Sequence, residues 1–227
     1  MLHSNKGFST RRDGSMYLAA TNWKSENIIN RERFFKSLGL TGKKIVAANL
    51  VHGTRVEIVT EHSPEFLLNT DALITAEKDI VLTLTAADCF PVYFEDTEHG
   101  IIGLAHAGWR GIVGDIVPQT LEKIVSLGGK KEDIIMTIGP GICMKHFEIQ
   151  PDLLSSFSPY PEAIKKENKR IFIDLKKIIV HQAFTSGILL KNIIYRDECT
   201  SCLPEKYFSY RREKPAYLET QVAYILK

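Results

Sequence analysis

The chain has 227 residues, 44% of them hydrophobic, which is enough to bury a substantial core within one domain over residues 1–227. Its 29 basic and 27 acidic residues give a formal net charge of +2, and this near balance argues against nucleic acid as a partner. The first residues lack a secretion-signal pattern and no later apolar run is long enough to cross a bilayer. We therefore expect a cytoplasmic protein without membrane contact.

Strand-like segments dominate the first half of the chain. A short strand and a turn at 7–14 precede a helix over about Ser25–Leu38, whose apolar stripe ends at Gly39. Two β-rich segments then meet at His52-Gly53, which predicts a chain reversal there. The predicted strands of this half cover 44–50, 54–60, 80–85, 92–94 and 100–105.

Helices and strands alternate in the second half. A glycine-rich turn after His106 leads into an amphipathic helix near Ile112–Leu127, and a second helix is predicted over Leu175–Leu190. The remaining strands are predicted over 133–138, 170–173, 192–195 and 222–226. This order predicts a mixed α/β (α+β) fold, a compact single domain in which mixed β-sheets are flanked by helices.

Three potential metal ligands lie in unusual local sequences. His52 precedes a glycine, Cys89 lies shortly before Pro91, and His106 precedes a glycine-rich stretch that predicts a turn. Two imidazoles and one thiolate can hold a zinc ion while leaving one coordination position open, as a catalytic metal site requires. The pattern therefore predicts an enzyme with a metal site at His52, Cys89 and His106.

The four cysteines are too few for a disulfide scaffold in a chain of this length, which agrees with a reducing compartment. Cys199 and Cys202 have the C-x-x-C spacing of metal and redox sites. The sequence contains no second pair with this spacing to complete a four-cysteine zinc site. We therefore favour a structural or incidental role for this pair.

Other residues can supply acid-base chemistry and anion binding. Asp88 is the acid or base nearest to the predicted metal, although a carboxylate at a strand end can instead cap a helix or orient a histidine. Both roles stay open. The guanidinium fork makes Arg11, Arg110 and Arg211 candidates for phosphate binding, while surface arginines commonly form only solvated pairs.

Taken in chain order, these motifs resemble the YfiH/YlmD-type family, whose members are known as polyphenol oxidase or laccase-domain proteins and as purine nucleoside phosphorylases. The resemblance covers nearly the whole chain. The segments that carry it are Gly7-Phe8-Ser9-Thr10-Arg11, Val51-His52-Gly53, Thr70-Asp71-Ala72-Leu73-Ile74-Thr75, Ala87-Asp88-Cys89-Phe90-Pro91-Val92, His106-Ala107-Gly108-Trp109-Arg110-Gly111, Gly139-Pro140-Gly141-Ile142, Phe147-Glu148-Ile149, Cys199-Thr200 and Phe208-Ser209-Tyr210-Arg211-Arg212.

The resemblance implies a YfiH-like fold with a zinc ion bound by His52, Cys89 and His106 at a purine nucleoside site. It implies cleavage of adenosine, inosine, guanosine and methylthioadenosine by phosphate, which yields the free base and ribose 1-phosphate or its methylthio analogue. It also implies deamination of adenosine to inosine. An older assignment in the family is copper-dependent phenol oxidation, so Cu²⁺ is a second candidate metal. The implied partners are purine nucleosides and phosphate, and formation of a homo-oligomer stays open.

Two positions depart from the family pattern. The family usually has glutamine before its Val-His-Gly motif, where this chain has Leu50, and the usual Thr-Gly-Arg near the C-terminus corresponds to Leu218-Glu219-Thr220. The second change replaces a cation with a neutral residue and adds an acid nearby. If that arginine assists an anionic substrate, we expect altered phosphate handling in this chain.

Three other functions stay open. A copper-dependent, laccase-like polyphenol oxidase is one, although seven scattered histidines fit a multicopper centre poorly. A Cys-His amide hydrolase would use Cys89 as nucleophile and His106 as base without a metal. A metal-storing or partner-binding protein would hold zinc in a closed four-ligand shell without turnover.

Overall fold

The computed structural model describes residues 5–20 and 24–227. The absence of a secretion-signal pattern was inferred partly from Met1–Ser4, which lie outside the described residues. The strands are β1 Asn5–Phe8, β2 Lys44–Ala48, β3 Val56–Ile58, β4 Phe66–Leu67, β5 Ala72–Thr75, β6 Ile80–Ala86, β7 Phe90–Asp96, β8 Ile101–Ala107, β9 Ile134–Ile138, β10 Glu148–Ile149, β11 Ile164–Glu167, β12 Arg170–Ile173, β13 Ile193–Tyr195 and β14 Gln221–Leu226. The α-helices are α1 Ser25–Ser37, α2 Trp109–Val113, α3 Ile116–Ser126, α4 Leu175–Thr185 and α5 Tyr210–Glu213.

These strands form three sheets. A five-stranded sheet has the order β1-β14-β6-β2-β4, a six-stranded sheet the order β13-β9-β7-β8-β5-β3, and a small sheet the order β10-β12-β11. Both large sheets are mixed: β2 runs parallel to β6 while β14 runs antiparallel to it, and β13 runs parallel to β9 while β7 runs antiparallel to it. The predicted mixed α/β class is confirmed.

Apolar side chains hold the large sheets together in layers. One cluster lies between the two sheets and includes Leu82 from β6 and Leu104 from β8. A second cluster packs α2, α3 and α4 against the outer face of the six-stranded sheet, and a third packs α1 against the five-stranded sheet. Because β6 is covered on both faces, all seven of its residues are buried, which explains its continuous apolar and threonine run.

Two predicted boundaries differ from the structure because of left-handed backbone positions. The helix expected over Ile112–Leu127 is divided into α2 and α3, and Asp115 between them has φ of 66°. The helix expected to reach Leu190 ends at Thr185, because Gly187 with φ of 108° ends the helical path.

The two β-rich segments on either side of His52-Gly53 do not pair with each other. β2 belongs to the five-stranded sheet and β3 to the six-stranded sheet, so His52 lies where the chain passes between sheets. The short strands β4 and β5 were not predicted, although β5 is completely buried beside β8. Within 5–20 and 24–227, no helix has the length and apolar character needed to cross a membrane.

Candidate functional site

The three predicted metal ligands converge although they lie far apart in the chain. His52 follows β2, Cys89 lies between β6 and β7, and His106 is the next-to-last residue of β8. One potential ligand atom from each residue lies within 4.8 Å of the other two. The rings of His52 and His106 meet edge to face with centroids 4.9 Å apart. His106 itself pairs with Pro91 in the ladder between β7 and β8, and the glycine-rich turn predicted after it lies at Gly108, between the end of β8 and the start of α2.

The loops that carry the other two ligands contain left-handed backbone. His52 has φ of 59°, and Asp88, directly before Cys89, has φ of 92°. Such values are uncommon for residues other than glycine, so neighbouring contacts must hold them. The amide of Ile142 donates to the carbonyl of Asp88 at 2.8 Å and supplies one such contact.

Asp71 holds the two histidine segments in place. Its buried carboxylate accepts from the amides of His52 and Gly53, each at 2.8 Å, and lies 3.3 Å from Nδ1 of His106. A hydrogen bond from Nδ1 leaves the other ring nitrogen of His106 free to bind a metal. Asp71 was not assigned a role from the sequence, where the signal for it was an acidic residue directly before the apolar residues Ala72, Leu73 and Ile74.

Electrostatics favour the charged forms of Cys89 and His106 in the metal-free site. Burial alone would raise the pKa of Cys89, but the charge of His106 and hydrogen bonds from both histidines lower it to about 6. Burial alone would lower the pKa of His106, but the charge of Cys89 and the hydrogen bond to Asp71 raise it to about 9. The site therefore stabilises a thiolate, which is the metal-binding and nucleophilic form of cysteine.

Gly108 leaves room among the three ligands. A Cβ atom at this position would lie 3.0 Å from Sγ of Cys89, 3.2 Å from Cδ2 of His52 and 3.4 Å from Cε1 of His106. Two imidazoles and one thiolate suit zinc or copper. A blue-copper site also needs a soft axial ligand, and no methionine lines this part of the described structure.

The three ligands line a cavity of about 580 Å³. Most of its surface is apolar, with contributions from both large sheets and from the segment after β9. Besides the three candidate ligands, the polar residues along its wall are Tyr17, Asn49, Thr85, Asp88, Arg110, Glu148, Gln150, Tyr210 and Arg211. Such a wall suits a ligand with a flat apolar part and a few polar groups.

Asp88 lines this cavity, and both of its carboxylate oxygens already have protein partners. The hydroxyl of Thr200 donates to one oxygen at 2.6 Å, and the amide of Arg211 donates to the other at 2.7 Å. These bonds tie the loop of Cys89 to two segments from the C-terminal part of the chain. Arg211 is the second residue of α5, so Asp88 binds the first turn of this helix, which supports the capping role that the sequence left open for it.

The three candidate arginines have different surroundings. Arg110 lines the cavity, is exposed, and forms no ion pair within the described residues, while its guanidinium lies 4.4 Å from the ring centre of Trp109. Arg211 also lines the cavity, but one of its nitrogens donates to the carbonyls of His146 and Glu148. Arg11 does not line the cavity.

The guanidinium of Arg11 is instead held away from the cavity by three contacts. It pairs with Glu213, donates to the carbonyl of Tyr207, and lies 4.3 Å from the ring centre of Phe208. Sequence motifs alone could not separate it from Arg110, because both are arginines in turn-rich matching segments.

At both positions that depart from the family pattern, a leucine side chain lines the cavity. Leu50 lies on the wall near His52, and Leu218 lies on the wall near the C-terminal strand. Thr220, at the position of the family's arginine, is buried, and Glu219 does not line the cavity. Both positions therefore contribute apolar side chains to the wall.

Comparisons with known proteins agree with this architecture. The family model described as multi-copper polyphenol oxidoreductase laccase matches residues 4–225. A purine nucleoside phosphorylase of Deinococcus radiodurans is 34% identical over 186 residues, covering 81% of this chain and 71% of the relative. The adenosine deaminase RL5 of an unknown prokaryotic organism is 28% identical over 189 residues, covering 77% and 72%.

The fold agrees with that of a solved structure of the same type. The hypothetical protein YfiH of Bacillus licheniformis superimposes with a TM-score of 0.92 at 25% identity, over 98% of this chain and 92% of that one. Because the family model spans nearly all of the sequence and this structure nearly all of the fold, the chain belongs to the YfiH/YlmD-type family, described as multi-copper polyphenol oxidoreductase laccases.

Proposed function

We propose that this protein is a zinc-dependent purine nucleoside enzyme that cleaves nucleosides with phosphate and deaminates adenosine to inosine. The proposed substrates for cleavage are adenosine, inosine, guanosine and methylthioadenosine. The observation that carries the proposal is the convergence of His52, Cys89 and His106 on the wall of a largely apolar cavity. Its volume of about 580 Å³ suits a small-molecule site. The relatives named as phosphorylase and deaminase support the same two reactions.

The metal and the residues that hold it would have separate tasks. Zinc bound by the three ligands would supply a Lewis acid and make water a stronger nucleophile at neutral pH. Asp71 would fix the ring of His106 through Nδ1 and fix His52 through the backbone of its loop. Cys89 would act as a ligand in the thiolate form that His106 stabilises.

Phosphate and purine would be held by different parts of the wall. Arg110 is the better placed candidate for phosphate, because its guanidinium is exposed at the cavity and has no acidic partner among the described residues. Arg211 would assist with the nitrogen that does not bind the carbonyls of His146 and Glu148. The apolar side chains of Leu50 and Ile142 offer contact surface to a purine ring.

Chromatography of products after the zinc-loaded protein meets adenosine tests the proposal directly. We expect adenine and ribose 1-phosphate only when phosphate is present, and inosine whether or not it is present. His52→Ala should lose both products, while His99→Ala serves as the matched control because His99 pairs with Asp96 away from the cavity. Unchanged product formation in His52→Ala would reject the proposed centre.

A Cys-His amide hydrolase is the second candidate. One observation favours it: His106 lowers the pKa of Cys89 to about 6, as a thiolate nucleophile requires. The two functions respond differently to a chelator. A thiol hydrolase keeps its activity after zinc removal, whereas the nucleoside enzyme loses both products and recovers them when zinc is restored.

Copper-dependent phenol oxidation is a further candidate and follows from the family description. Among the described residues, the cavity wall contains two histidines, His52 and His106, which is few for a multicopper centre. Oxygen consumption with a phenol and copper-loaded protein, absent with zinc-loaded protein, would favour the oxidase.

A further inference from the structure

A second group of metal-binding side chains lies outside the cavity wall. Cys143, from the segment after β9, meets Cys199 and Cys202, and the three sulfurs lie within 4.8 Å of one another. The C-x-x-C pair therefore has a third thiol that its spacing alone did not reveal. We propose that these three cysteines form a second zinc site, independent of the candidate centre at His52, Cys89 and His106.

The spacing of the sulfurs suits a shared ion. Sγ of Cys143 and Sγ of Cys202 are 3.9 Å apart. A tetrahedral zinc ion with Zn–S bonds of ~2.3 Å holds its sulfur ligands ~3.8 Å apart. Three thiolates are soft ligands of the kind that selects zinc over magnesium or calcium. The cluster can therefore accept zinc with little movement of Cys143 and Cys202.

Hydrogen bonds order the backbone segments that carry the three cysteines. The amide of Cys143 donates to Sγ of Cys199 at 3.2 Å, and hydrogen bonds of this kind orient and stabilise metal-bound sulfur. Gly141 and Cys199 form an isolated parallel bridge, and the amide of Thr200 donates to the carbonyl of Gly141 at 3.1 Å. Arg212 orders the turn by donating to the carbonyls of Thr200 and Ser201 at 2.7 and 3.0 Å.

The surroundings fit an ion with an exposed edge. Cys199 is buried, Cys143 is half-buried and Cys202 is exposed. With three protein ligands and an exposed edge, a water molecule is the fourth ligand that we expect. Zinc with three thiolates carries a net charge of −1, and the exposed Lys145 acts electrostatically on Cys202 from nearby.

Binding at this cluster would fasten two segments of the cavity wall. Cys143 follows Ile142, whose amide binds the carbonyl of Asp88, and Cys199 precedes Thr200, whose hydroxyl binds the carboxylate of Asp88. The zinc ion would thus cross-link the segments that hold Asp88. Its role is structural, because none of the three cysteines lines the cavity.

Cobalt substitution isolates this site, because the chain has four cysteines in total. In Cys89→Ser, every remaining thiol belongs to the cluster, so thiolate-to-cobalt charge-transfer absorption reports only on it. We expect metal-free Cys89→Ser to develop this absorption with one equivalent of Co²⁺ and to lose it when zinc is added. The double variant Cys89→Ser/Cys202→Ser should lose the absorption and bind zinc at least tenfold more weakly.

Cys89→Ser/Leu203→Ser is the matched control, because Leu203 is an exposed neighbour that carries no thiol. It should keep the absorption, and all variants should melt cooperatively. The proposal is overturned if Cys89→Ser gives no charge-transfer absorption, or if the double variant at position 202 keeps it. Mass spectrometry of protein isolated without oxygen provides a separate check, since a disulfide between Cys143 and Cys202 would also overturn the proposal.

Discussion

Replacement of Asp71 by asparagine tests how much a residue that positions the candidate ligands contributes to metal affinity, because it leaves the ligands themselves unchanged. The side chain keeps its size but loses one acceptor oxygen and its charge. Because the two carboxylate oxygens of Asp71 accept from the amides of His52 and Gly53, the new amide group must turn a donor towards one of these amides. The acceptor beside Nδ1 of His106 also becomes a neutral group or a donor.

The expected loss has two parts. Removing the partner of a metal-binding histidine commonly lowers metal affinity by about 10- to 100-fold, which corresponds to about 1.4 to 2.8 kcal/mol of binding free energy. A buried amide without an acceptor costs about 1 to 3 kcal/mol of folding free energy. Asp71→Asn should therefore bind zinc more weakly and also unfold at a lower denaturant concentration.

Asp96 provides an unusually close control. Its buried carboxylate accepts from the amides of His99 and Lys130 at 3.0 and 2.9 Å and lies 2.9 Å from Nδ1 of His99. Like Asp71, Asp96 therefore contacts two backbone amides and one histidine Nδ1, but among the described residues it has no group of candidate metal ligands beside it. Asp96→Asn should lose comparable stability and keep the zinc affinity of its Cys202→Ser parent.

Competition with a chromophoric chelator measures the affinity, and denaturant unfolding of the metal-free variants measures stability. To keep the three-cysteine cluster out of the measurement, both variants carry Cys202→Ser. The reasoning is refuted if Asp71→Asn keeps its zinc affinity within twofold. It is also refuted if Asp96→Asn loses affinity to the same extent, because the loss would then follow stability alone.

Three further outcomes are expected. Gly108→Ala should weaken zinc binding in the same competition assay, because its Cβ would lie 3.0 Å from Sγ of Cys89. Arg110→Gln should raise the KM for phosphate, measured in steady-state assays, by roughly tenfold to a hundredfold, because it removes a charged hydrogen bond. The control is Arg55→Gln, which changes an exposed residue away from the cavity and should leave this KM unchanged. Alkylation of Cys89 in metal-free protein, followed by mass spectrometry, should be half-maximal near pH 6, where its thiolate forms, and His106→Gln should move this midpoint upward.

The main strands could be predicted because a strand that is buried on both faces has a continuous run of uncharged residues. β6 is such a case, a seven-residue run with no charged side chain and every residue buried. β5 and β4 were missed since four and two residues are too few to establish a period. Their positions depend on pairing with β8 and β2, which is a property of the tertiary fold.

The ligands of the candidate centre could be identified from local sequence, but the residues that support them could not. Asp71 is 35 positions from His106 and Cys143 is 56 positions from Cys199. Neither separation corresponds to a helical or strand period, so no pattern joins these residues. Sheet topology brings Asp71 to His106, because β5 pairs with β8 and the carbonyl of Asp71 accepts from the amide of His106.

The hydrogen bonds of Asp88 support a positioning role for this carboxylate beside Cys89. Each carboxylate oxygen of Asp88 accepts one hydrogen bond, from the hydroxyl of Thr200 at 2.6 Å or from the amide of Arg211 at 2.7 Å. Those bonds also fix the left-handed turn before Cys89 and connect it to the segment of Cys199. Asp88 therefore lies between the candidate centre and the three-cysteine cluster, where its hydrogen bonds align the Cys89 loop with the segments of Thr200 and Arg211.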